Sequence, residues 1–369
     1  MNTTHIPDKI NDLIRLGADS VILYRLPHQN NKILQIGKSS DAKEIKEEWL
    51  NDGFIIHPFN AENFRSIHIS RDLNYVFEGV LSEDIAYNVI SLFQQFLKED
   101  EDVEITFEEY HQQFKMMHNA LLKGELDKVI LSRIKKVPSF AVENVIHFFD
   151  ELCGLYEHAF VYALVTPETG VWIGAGPELL LGKSEESLQT VSLAGTLPNR
   201  SNTFWSHKEE DEQALVTDYM KTVLDNNNIQ DYQINGPYTM KAGQVKHLRT
   251  DFKFNLSQLG SGLMRLLTQL HPTPAVCGMP KEGAIEHISE IESNRREYYA
   301  GFLGPVNNGD FSFYVNIRCL KLTHSHASLY LGGGLTRGSE VNKEWEETEL
   351  KAQTLLSVLK NIANLQGYE

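Results

Sequence analysis

The sequence predicts an α+β fold in which large antiparallel β-sheets pack as a sandwich, with helices on the outside. Short apolar runs joined by turns are typical of hairpin-linked strands, and they occur in groups along the chain. Long amphipathic helices separate these groups instead of following every strand, so the regular βαβ alternation of a doubly wound fold is absent. The chain has 369 residues and no visible internal repeat, which is enough for one large domain.

The first predicted elements follow an acidic run at residues 98–104, which we interpret as a solvated connection within one fold. A helix is predicted next, because apolar residues recur at helical spacing from Phe107 to Leu121. Gly124 follows this helix at the position where a C-terminal cap belongs. The apolar, β-branched segment 128–134 then predicts a strand.

The middle of the chain is predicted to form strands at 158–166, 171–175, 178–181 and 188–194. A long helix follows at about 206–224, with Leu215, Tyr219 and Val223 on its apolar face.

The last third repeats this organisation. The pattern predicts a helix near 284–292, strands at 299–304, 311–322 and 327–331, and a final helix at about 342–363. Within 311–320 apolar and polar residues alternate strictly, which places Arg318 on the polar face of one continuous strand.

Composition and charge exclude several classes of protein. The apolar fraction of 41% and charged fraction of 23% are ordinary for a globular protein. A formal net charge of −16 disfavours a nucleic-acid binder, because such a surface repels a phosphate backbone. Three widely spaced cysteines suit a reducing compartment, and neither a signal peptide nor a membrane span is visible. We therefore expect a cytoplasmic protein without nucleic-acid or membrane partners, and a monomer because no long exposed apolar seam is apparent.

Two acidic helices and a glycine cluster suggest a site for a metal and an anion. Glycines 332–334 precede a helix on which Glu344, Glu347 and Lys351 share one face. Glu212 lies near the start of the helix predicted at 206–224. Carboxylates on two helices suit Mg²⁺, which binds few protein carboxylates and keeps water and substrate oxygens. The residues alone favour a solvated, salt-bridged stripe on the last helix and, at 206–224, charges that only complement the helix dipole.

Three single residues are also ambiguous on their own. Arg318 suits a bidentate carboxylate contact or an arginine in water. Lys128 begins an apolar strand, where a lysine either performs chemistry or extends its charged end to solvent. Glu178 follows Gly-Ala-Gly-Pro and equally suits an ordinary strand-edge charge.

Seven segments, taken in order, resemble the signature segments of the chorismate-utilising enzymes. They are KVILSR at 128–133, GPELLL at 176–181, SLAGT at 192–196, LHPTPA at 270–275, REYYAG at 296–301, IRC at 317–319, and EWEET at 344–348 with Lys351. The resemblance covers roughly residues 107–359 and implies a single domain over 1–369. Within it, 1–104 form a variable flank and 105–364 carry the motifs.

The resemblance implies Mg²⁺-dependent, reversible conversion of chorismate to isochorismate. Lys128 is then the general base for a water that attacks C2, and Glu178 the general acid for the departing C4 hydroxyl. Each positioned proton transfer typically contributes about 10²–10⁴ in rate. Burial suits both roles, because it disfavours the charged form of an amine and of a carboxyl group.

The resemblance also implies the ligands of the metal and the substrate. Glu212 and Glu347 would bind Mg²⁺, and Glu344 would assist through a bridging water. Lys351 and the backbone near Gly195 and Thr196 would contact the ring carboxylate. Arg318 and the backbone of Gly332, Gly333 and Gly334 would hold the enolpyruvyl carboxylate. Ala275, Val276 and Tyr299 would line the ring pocket.

Two departures from the family pattern concern neighbours of the site. Gln213 stands where a histidine usually follows the metal-binding glutamate, which puts in doubt only a partner of that ligand. Cys277 replaces a small residue, and we assign it no function.

Other activities of the same scaffold remain open. Salicylate synthase, which also eliminates pyruvate, is the main alternative. Ammonia-using relatives that work with a glutaminase are disfavoured by Lys128, so no glutaminase partner is expected. A non-catalytic chorismate-binding protein should lack an acid, base or metal carboxylate, and none is missing. Menaquinone and siderophore biosynthesis are both possible pathways for the product.

Overall fold

The computed structural model describes residues 6–199, 204–242 and 245–365. These residues form the following strands: β1 (Ser20–Arg25), β2 (Lys32–Gly37), β3 (Ser39–Ala42), β4 (Gly53–His57), β5 (Ser66–Ile69), β6 (Leu73–Phe77), β7 (Lys128–Pro138), β8 (Phe160–Thr166), β9 (Gly170–Gly176), β10 (Leu179–Ser184), β11 (Ser187–Pro198), β12 (Tyr232–Ala242), β13 (Val245–Asn255), β14 (Gly278–Met279), β15 (Phe302–Asn307), β16 (Asp310–Val315), β17 (Cys319–Leu322) and β18 (His326–Leu335).

The strands form two antiparallel sheets of nine strands each. Sheet A has the order β14-β7-β18-β17-β9-β8-β1-β2-β6, and sheet B has the order β12-β13-β11-β10-β16-β15-β4-β5-β3. The predicted α+β sandwich of large antiparallel sheets is therefore confirmed.

Eight α-helices accompany the sheets in the described part of the chain. They are α1 (Ile6–Arg15), α2 (Glu83–Gln95), α3 (Phe107–Lys123), α4 (Val145–Leu155), α5 (His207–Asn226), α6 (Leu263–Leu270), α7 (Lys281–Ile291) and α8 (Val341–Leu365). Among them, none has both the length and the apolar character that a membrane span needs.

Sheet A is covered on both faces, which explains why its central strands read as continuous apolar runs. Along β8, Phe160 and Tyr162 belong to the core between the sheets, while Val161 and Ala163 belong to a second core. The second core lies under helices such as α2, α4 and α8, which contribute Phe93, Phe149 and Leu355 among others. A strand buried on both faces has no polar side to alternate with.

The first hundred residues extend both sheets. Strands β1, β2 and β6 belong to sheet A, and β3, β4 and β5 to sheet B. The acidic connection at 98–104 is less solvated than predicted, because Asp100 forms an ion pair with Lys136 of β7 at 2.8 Å and is largely buried. One domain over the whole chain stays a prediction, which the shared strand pairing favours.

The helices that flank the site begin and end where local chemistry dictates. Thr106 and Glu109 form a capping box at the start of α3, and Gly124 ends it in the left-handed conformation with φ of 79°. The predicted end of this helix is confirmed.

On α5 the buried residues include Val216, Met220 and Val223. Of the three residues predicted on its apolar face, Val223 is buried, whereas Leu215 and Tyr219 are half-buried, so the buried face is displaced by about one residue at those two positions.

The segment 311–322, predicted as one strand, is two strands in different sheets. It leaves sheet B after Val315 and enters sheet A at Cys319, so the chain crosses the sandwich at residues 316–318. Arg318 there adopts a φ of 55°, a conformation that interrupts a strand. Tertiary hydrogen bonds fix the crossing, including Asn316 N–H to the Gly301 carbonyl at 2.8 Å and Ala175 N–H to the Arg318 carbonyl at 3.1 Å. The prediction that Arg318 lies on the polar face of one strand is therefore wrong.

Candidate active site

A cleft lined by residues of both sheets contains most of the predicted site residues. The empty space inside it, counted together with the solvent at its open mouth, amounts to about 680 Å³. The predicted residues that line it are Lys128, Glu178, Gly195, Thr196, Glu212, Ala275, Val276, Tyr299, Arg318, Gly332, Gly333, Gly334 and Lys351. Glu344 and Glu347 do not line the cleft itself, but they lie beside it on α8.

Lys128 is the first residue of β7, and its side chain is fully buried at the bottom of the site. Strand β7 lies between β14 and β18, and Lys128 pairs with Met279 of β14. The Nζ atom of Lys128 lies 2.8 Å from Oε1 of Glu212, an ion pair rather than an aligned hydrogen bond. Burial, the largest single effect, would raise the pKa of Glu212, but Lys128 together with the charges of Lys351 and Lys208 outweighs it and holds the pKa below its ordinary value.

Glu178 lies between β9 and β10, and its carboxyl group is buried. Burial raises the pKa of Glu178 to about 7, although a hydrogen bond from Thr273 and the charge of Lys128 act in the opposite direction. The Thr273 hydroxyl donates to Oε1 of Glu178 at 3.2 Å. A carboxyl group in this environment can hold its proton near neutral pH and release it to a nearby leaving group.

Arg318 places a buried guanidinium in the cleft. Its Nη2 donates to Nε2 of His247 at 2.9 Å, and its Nη1 donates to the Thr354 hydroxyl at 3.2 Å. Within residues 6–199, 204–242 and 245–365, no carboxylate lies within ion-pair distance of this arginine. A buried cation is costly without a counter-charge, so this geometry suits an anionic ligand.

His247 of β13 is the most informative residue that the sequence analysis missed. Its Nδ1 contacts the Gly195 carbonyl at 2.9 Å, so this nitrogen carries the hydrogen and Nε2 accepts from Arg318. Burial, and then the charge of Arg318, lower the pKa of His247 to about 3, so the ring is neutral. Strands β12 and β13 were not predicted, although Phe252 and Phe254 alternate there with charged residues. The other lining residues that were missed are Ile130, Leu193, Ala194, Ile317, Tyr330 and Leu331.

Each of the three predicted metal-binding carboxylates is paired with a lysine. Besides the Glu212–Lys128 pair, Glu344 contacts Lys208 at 2.9 Å and Glu347 contacts Lys351 at 2.7 Å. Lys351 also donates to the Gly332 carbonyl at 2.9 Å. Burial, and then repulsion by Glu347, raise the pKa of Glu344 above its ordinary value.

These carboxylates fit a hard divalent cation, because their oxygens are the donors that Mg²⁺ prefers and their mutual repulsion would be relieved by positive charge. In the described ranges, no group of three or more acidic, histidine or cysteine side chains is already gathered around one point. Glu212 and Glu347 would therefore hold the ion after leaving their lysines, and Glu344 is the neighbouring carboxylate.

The glycines at 332–334 belong to strand β18, not to a loop before a helix. They pair in order with Ser132, Leu131 and Ile130 of β7, so the predicted glycine loop is wrong. Their size has a different reason: a Cβ atom on Gly332 would lie 2.5 Å from the Tyr299 hydroxyl, and one on Gly334 would lie 2.8 Å from Oε1 of Glu212. The glycines therefore leave room for side chains of the site.

The remaining wall of the cleft is held by a buried ion pair. Arg296 contacts Glu292 at 2.6 Å and donates to the carbonyls of Val276 and Ile130, both at 2.8 Å. These bonds fix the loop at residues 271–277, which contains two prolines, against β7. Tyr299 is buried and stacks on Tyr330 with ring centroids 5.7 Å apart, which suits the wall position predicted for it.

The two departures from the family pattern are buried near the site. Gln213 donates through Nε2 to the Ser192 hydroxyl at 3.0 Å, so it fixes the strand β11 that leads to Gly195. Cys277 is buried with a free thiol, which donates to the Lys281 carbonyl at 3.7 Å, and the structure suggests no function for it.

Known proteins are similar to this chain in both sequence and fold. Isochorismate synthase EntC of Escherichia coli is 30% identical over 245 residues, which cover 63% of this chain and 62% of that protein. The chain thus matches somewhat less than two thirds of this relative's length.

The solved structures show the same architecture. The putative 2,3-dihydroxybenzoate-specific isochorismate synthase DhbC of Bacillus anthracis matches with a TM-score of 0.76 at 24% identity, over 96% of this chain and all of that one. The menaquinone-specific isochorismate synthase MenF of Escherichia coli matches with a TM-score of 0.75 at 20% identity, over 95% of this chain and 91% of that one.

Residues 80–360, about three quarters of the chain, match a sequence family that is described as "chorismate binding enzyme". The cleft formed by the family's signature segments lies within this range. The chain therefore belongs to the chorismate binding enzymes.

Proposed function

We propose that this protein is an isochorismate synthase, which converts chorismate reversibly to isochorismate. The observation that carries the proposal is that Lys128 and Glu178, a buried amine and a buried carboxyl group with a pKa of about 7, line the same cleft. A base and an acid in one pocket suit a reaction that deprotonates an attacking water and protonates a leaving hydroxyl.

The proposed chemistry assigns each proton a donor and an acceptor. Lys128 takes a proton from water as the oxygen bonds to C2 of the ring. Both ring double bonds then shift, from C1–C2 to C1–C6 and from C5–C6 to C4–C5, as the C4–O bond breaks. Glu178 gives its proton to the C4 hydroxyl, which leaves as water. One water enters and one leaves, so chorismate and isochorismate have the same composition.

The charged groups of the cleft suit the two carboxylates of the substrate. Arg318 has no acidic partner among the described residues, and we propose that it binds the enolpyruvyl carboxylate together with the β18 backbone. The ring carboxylate would lie near Gly195, Thr196 and Lys351. Glu212 and Glu347, with help from Glu344, would hold Mg²⁺, which supplies positive charge to that carboxylate when bound.

Three further proposals concern the pathway, the location and the assembly of the protein. The similar structures from Bacillus anthracis and Escherichia coli are described as specific for 2,3-dihydroxybenzoate and for menaquinone. We propose the same kind of role here, the supply of isochorismate for menaquinone or a siderophore. The free thiols Cys153, Cys277 and Cys319 favour the cytoplasm. A monomer is proposed, and analytical ultracentrifugation would test it.

Product analysis tests the activity directly. Purified protein incubated with chorismate and Mg²⁺ should accumulate isochorismate, separated by chromatography, and should form chorismate when supplied with isochorismate. Accumulation of salicylate would instead identify a salicylate synthase. Failure to convert either compound would contradict both activities and favour a binding protein.

Truncating Arg318 is expected to weaken substrate binding. Arg318→Ala should lower kcat/KM by roughly thirtyfold or more, mainly through KM, because a buried charge–carboxylate contact is typically worth about 2 kcal/mol or more. Arg318→Lys should be intermediate, since it keeps the charge but not the planar pair of donors. Arg65→Ala, at an exposed arginine, is the control. Equal KM values for Arg318→Ala and the control would contradict the assignment.

Glu178 predicts a defined pH dependence of both activity and stability. As the acid must be protonated, kcat/KM should fall above a pH of about 7. The native carboxyl group binds its proton more tightly than the unfolded one, whose pKa is about 4.5, so this group's contribution to stability is complete below pH 4.5 and is lost as the pH rises through 7. Thermal unfolding at several pH values should show this loss in the wild type and not in Glu178→Gln. Parallel curves for the two proteins would contradict the raised pKa.

A further inference from the structure

Two histidines outside the cleft face each other across neighbouring turns. His28 follows β1 and His158 precedes β8, and both side chains are exposed. Their Nδ1 atoms lie 3.3 Å apart, while the ring centroids are 4.6 Å apart. The two rings therefore approach through their Nδ1 edges and diverge behind them.

The backbone under both rings is rigidly fixed. The buried guanidinium of Arg25 donates to the carbonyls of Tyr156, Glu157 and Ala159 at 2.6, 3.0 and 3.2 Å, which shapes the turn that carries His158. The His28 N–H donates to the Glu157 carbonyl at 2.9 Å and joins the two turns. His28 also adopts a φ of 61°, which is uncommon for a residue other than glycine. The backbone that carries the two rings is thus held by hydrogen bonds between the turns and to the buried Arg25.

The separation of the two nitrogens matches a pair of metal ligands. Zinc–imidazole bonds are about 2.0–2.1 Å long in a tetrahedral site, which places two nitrogen ligands about 3.3–3.4 Å apart. The same contact at 3.3 Å also meets the geometry of a long hydrogen bond between the two nitrogens, which a metal ion would replace. Neutral imidazole is a preferred ligand of divalent zinc, nickel and copper.

We propose that His28 and His158 form a binding site for one divalent transition-metal ion, with water in the remaining positions. The exposed rings leave room for that water. This site differs from the carboxylates beside the cleft, because nitrogen ligands favour zinc, nickel or copper and oxygen ligands favour Mg²⁺. Its fixed turns lower the cost of arranging the two ligands before the ion arrives.

Copper titration of the untagged full-length protein tests this site. The experiment uses Cu²⁺ with excess Mg²⁺ present, which occupies the carboxylates, and follows binding by calorimetry and by electron paramagnetic resonance. We expect one Cu²⁺ per chain with two imidazole nitrogens in its spectrum. His158→Ala should weaken binding by about tenfold or more, since even the loss of a ligand's outer partner typically costs about 10–100-fold.

The matched variants separate the site from other histidines. His28→Asn should weaken binding like His158→Ala, and asparagine tolerates the left-handed backbone at this position. His324→Ala, at an exposed histidine on a different turn, should bind Cu²⁺ like the wild type. Thermal unfolding verifies that each variant folds. Absence of Cu²⁺ binding, or binding that both His28→Asn and His158→Ala leave unchanged, would overturn the proposal and indicate a simple contact between two rings.

Discussion

Replacing Lys128 is expected to reduce kcat by about 10²–10⁴, the usual contribution of one positioned proton transfer. Lys128→Gln is the preferred variant, because glutamine removes the charge but keeps a polar amide of nearly the same length that can donate to Glu212. Lys128→Ala should lose as much activity, but it also leaves the largely buried Glu212 without its charged partner and should be less stable. Initial rates of isochorismate formation measure the effect on activity.

Lys135→Ala provides the control for this experiment. Lys135 lies on the same strand, outside the cleft, and contacts Glu349, which keeps its second partner Arg133. Its removal should leave kcat close to the wild-type value. If Lys128→Gln is folded and retains kcat within about threefold of that control, another group must activate the water, since a positioned base typically contributes about 10²–10⁴.

The residues of the cleft were predictable largely because they occur in ordered motifs. Lys128 and Glu178 belong to different strand ends about fifty residues apart, and no local pattern shows that they meet. Only the resemblance to the chorismate-utilising enzymes predicted that they belong to one site. The antiparallel architecture, in contrast, followed from apolar runs and helical spacing, which report local burial directly.

Features that depend on tertiary contacts were not predictable from local patterns. Apolar and polar residues alternate from Phe311 to Cys319 on both sides of the crossing between the sheets, and both sides are buried. The alternation therefore gives no sign of the crossing. Only the hydrogen bonds of Asn316 and Arg318 to distant segments reveal the crossing. His247 was not predicted for a similar reason. Its place in the site is shown by its hydrogen bond with Arg318, which lies 71 residues further along the chain. The lysine partners of Glu212 and Glu344 likewise come from other elements.

Removing Mg²⁺ is expected to reduce turnover by about 10²–10³, the typical cost of losing one fixed electrostatic contact to developing or bound charge. Excess EDTA should abolish measurable isochorismate formation, and added Mg²⁺ should restore it. Glu347→Gln should require more Mg²⁺, whereas Glu346→Gln, at the exposed neighbouring position on α8, should behave like the wild type. Mg²⁺ should also raise the unfolding temperature of the wild type more than that of Glu347→Gln. Full activity in excess EDTA would contradict the metal assignment.

The charges around the cleft favour the proposal that a divalent cation binds there. Three glutamates are balanced by three lysines, Glu178 is largely protonated below pH 7, and Arg318 adds one positive charge. If Lys128 acts as the base it must be neutral, which leaves the protein groups without net charge. Chorismate then brings two negative charges, and a divalent cation restores neutrality. If Glu212 held that ion, it would no longer pair with Lys128, and the Lys128 amine would be available to the attacking water.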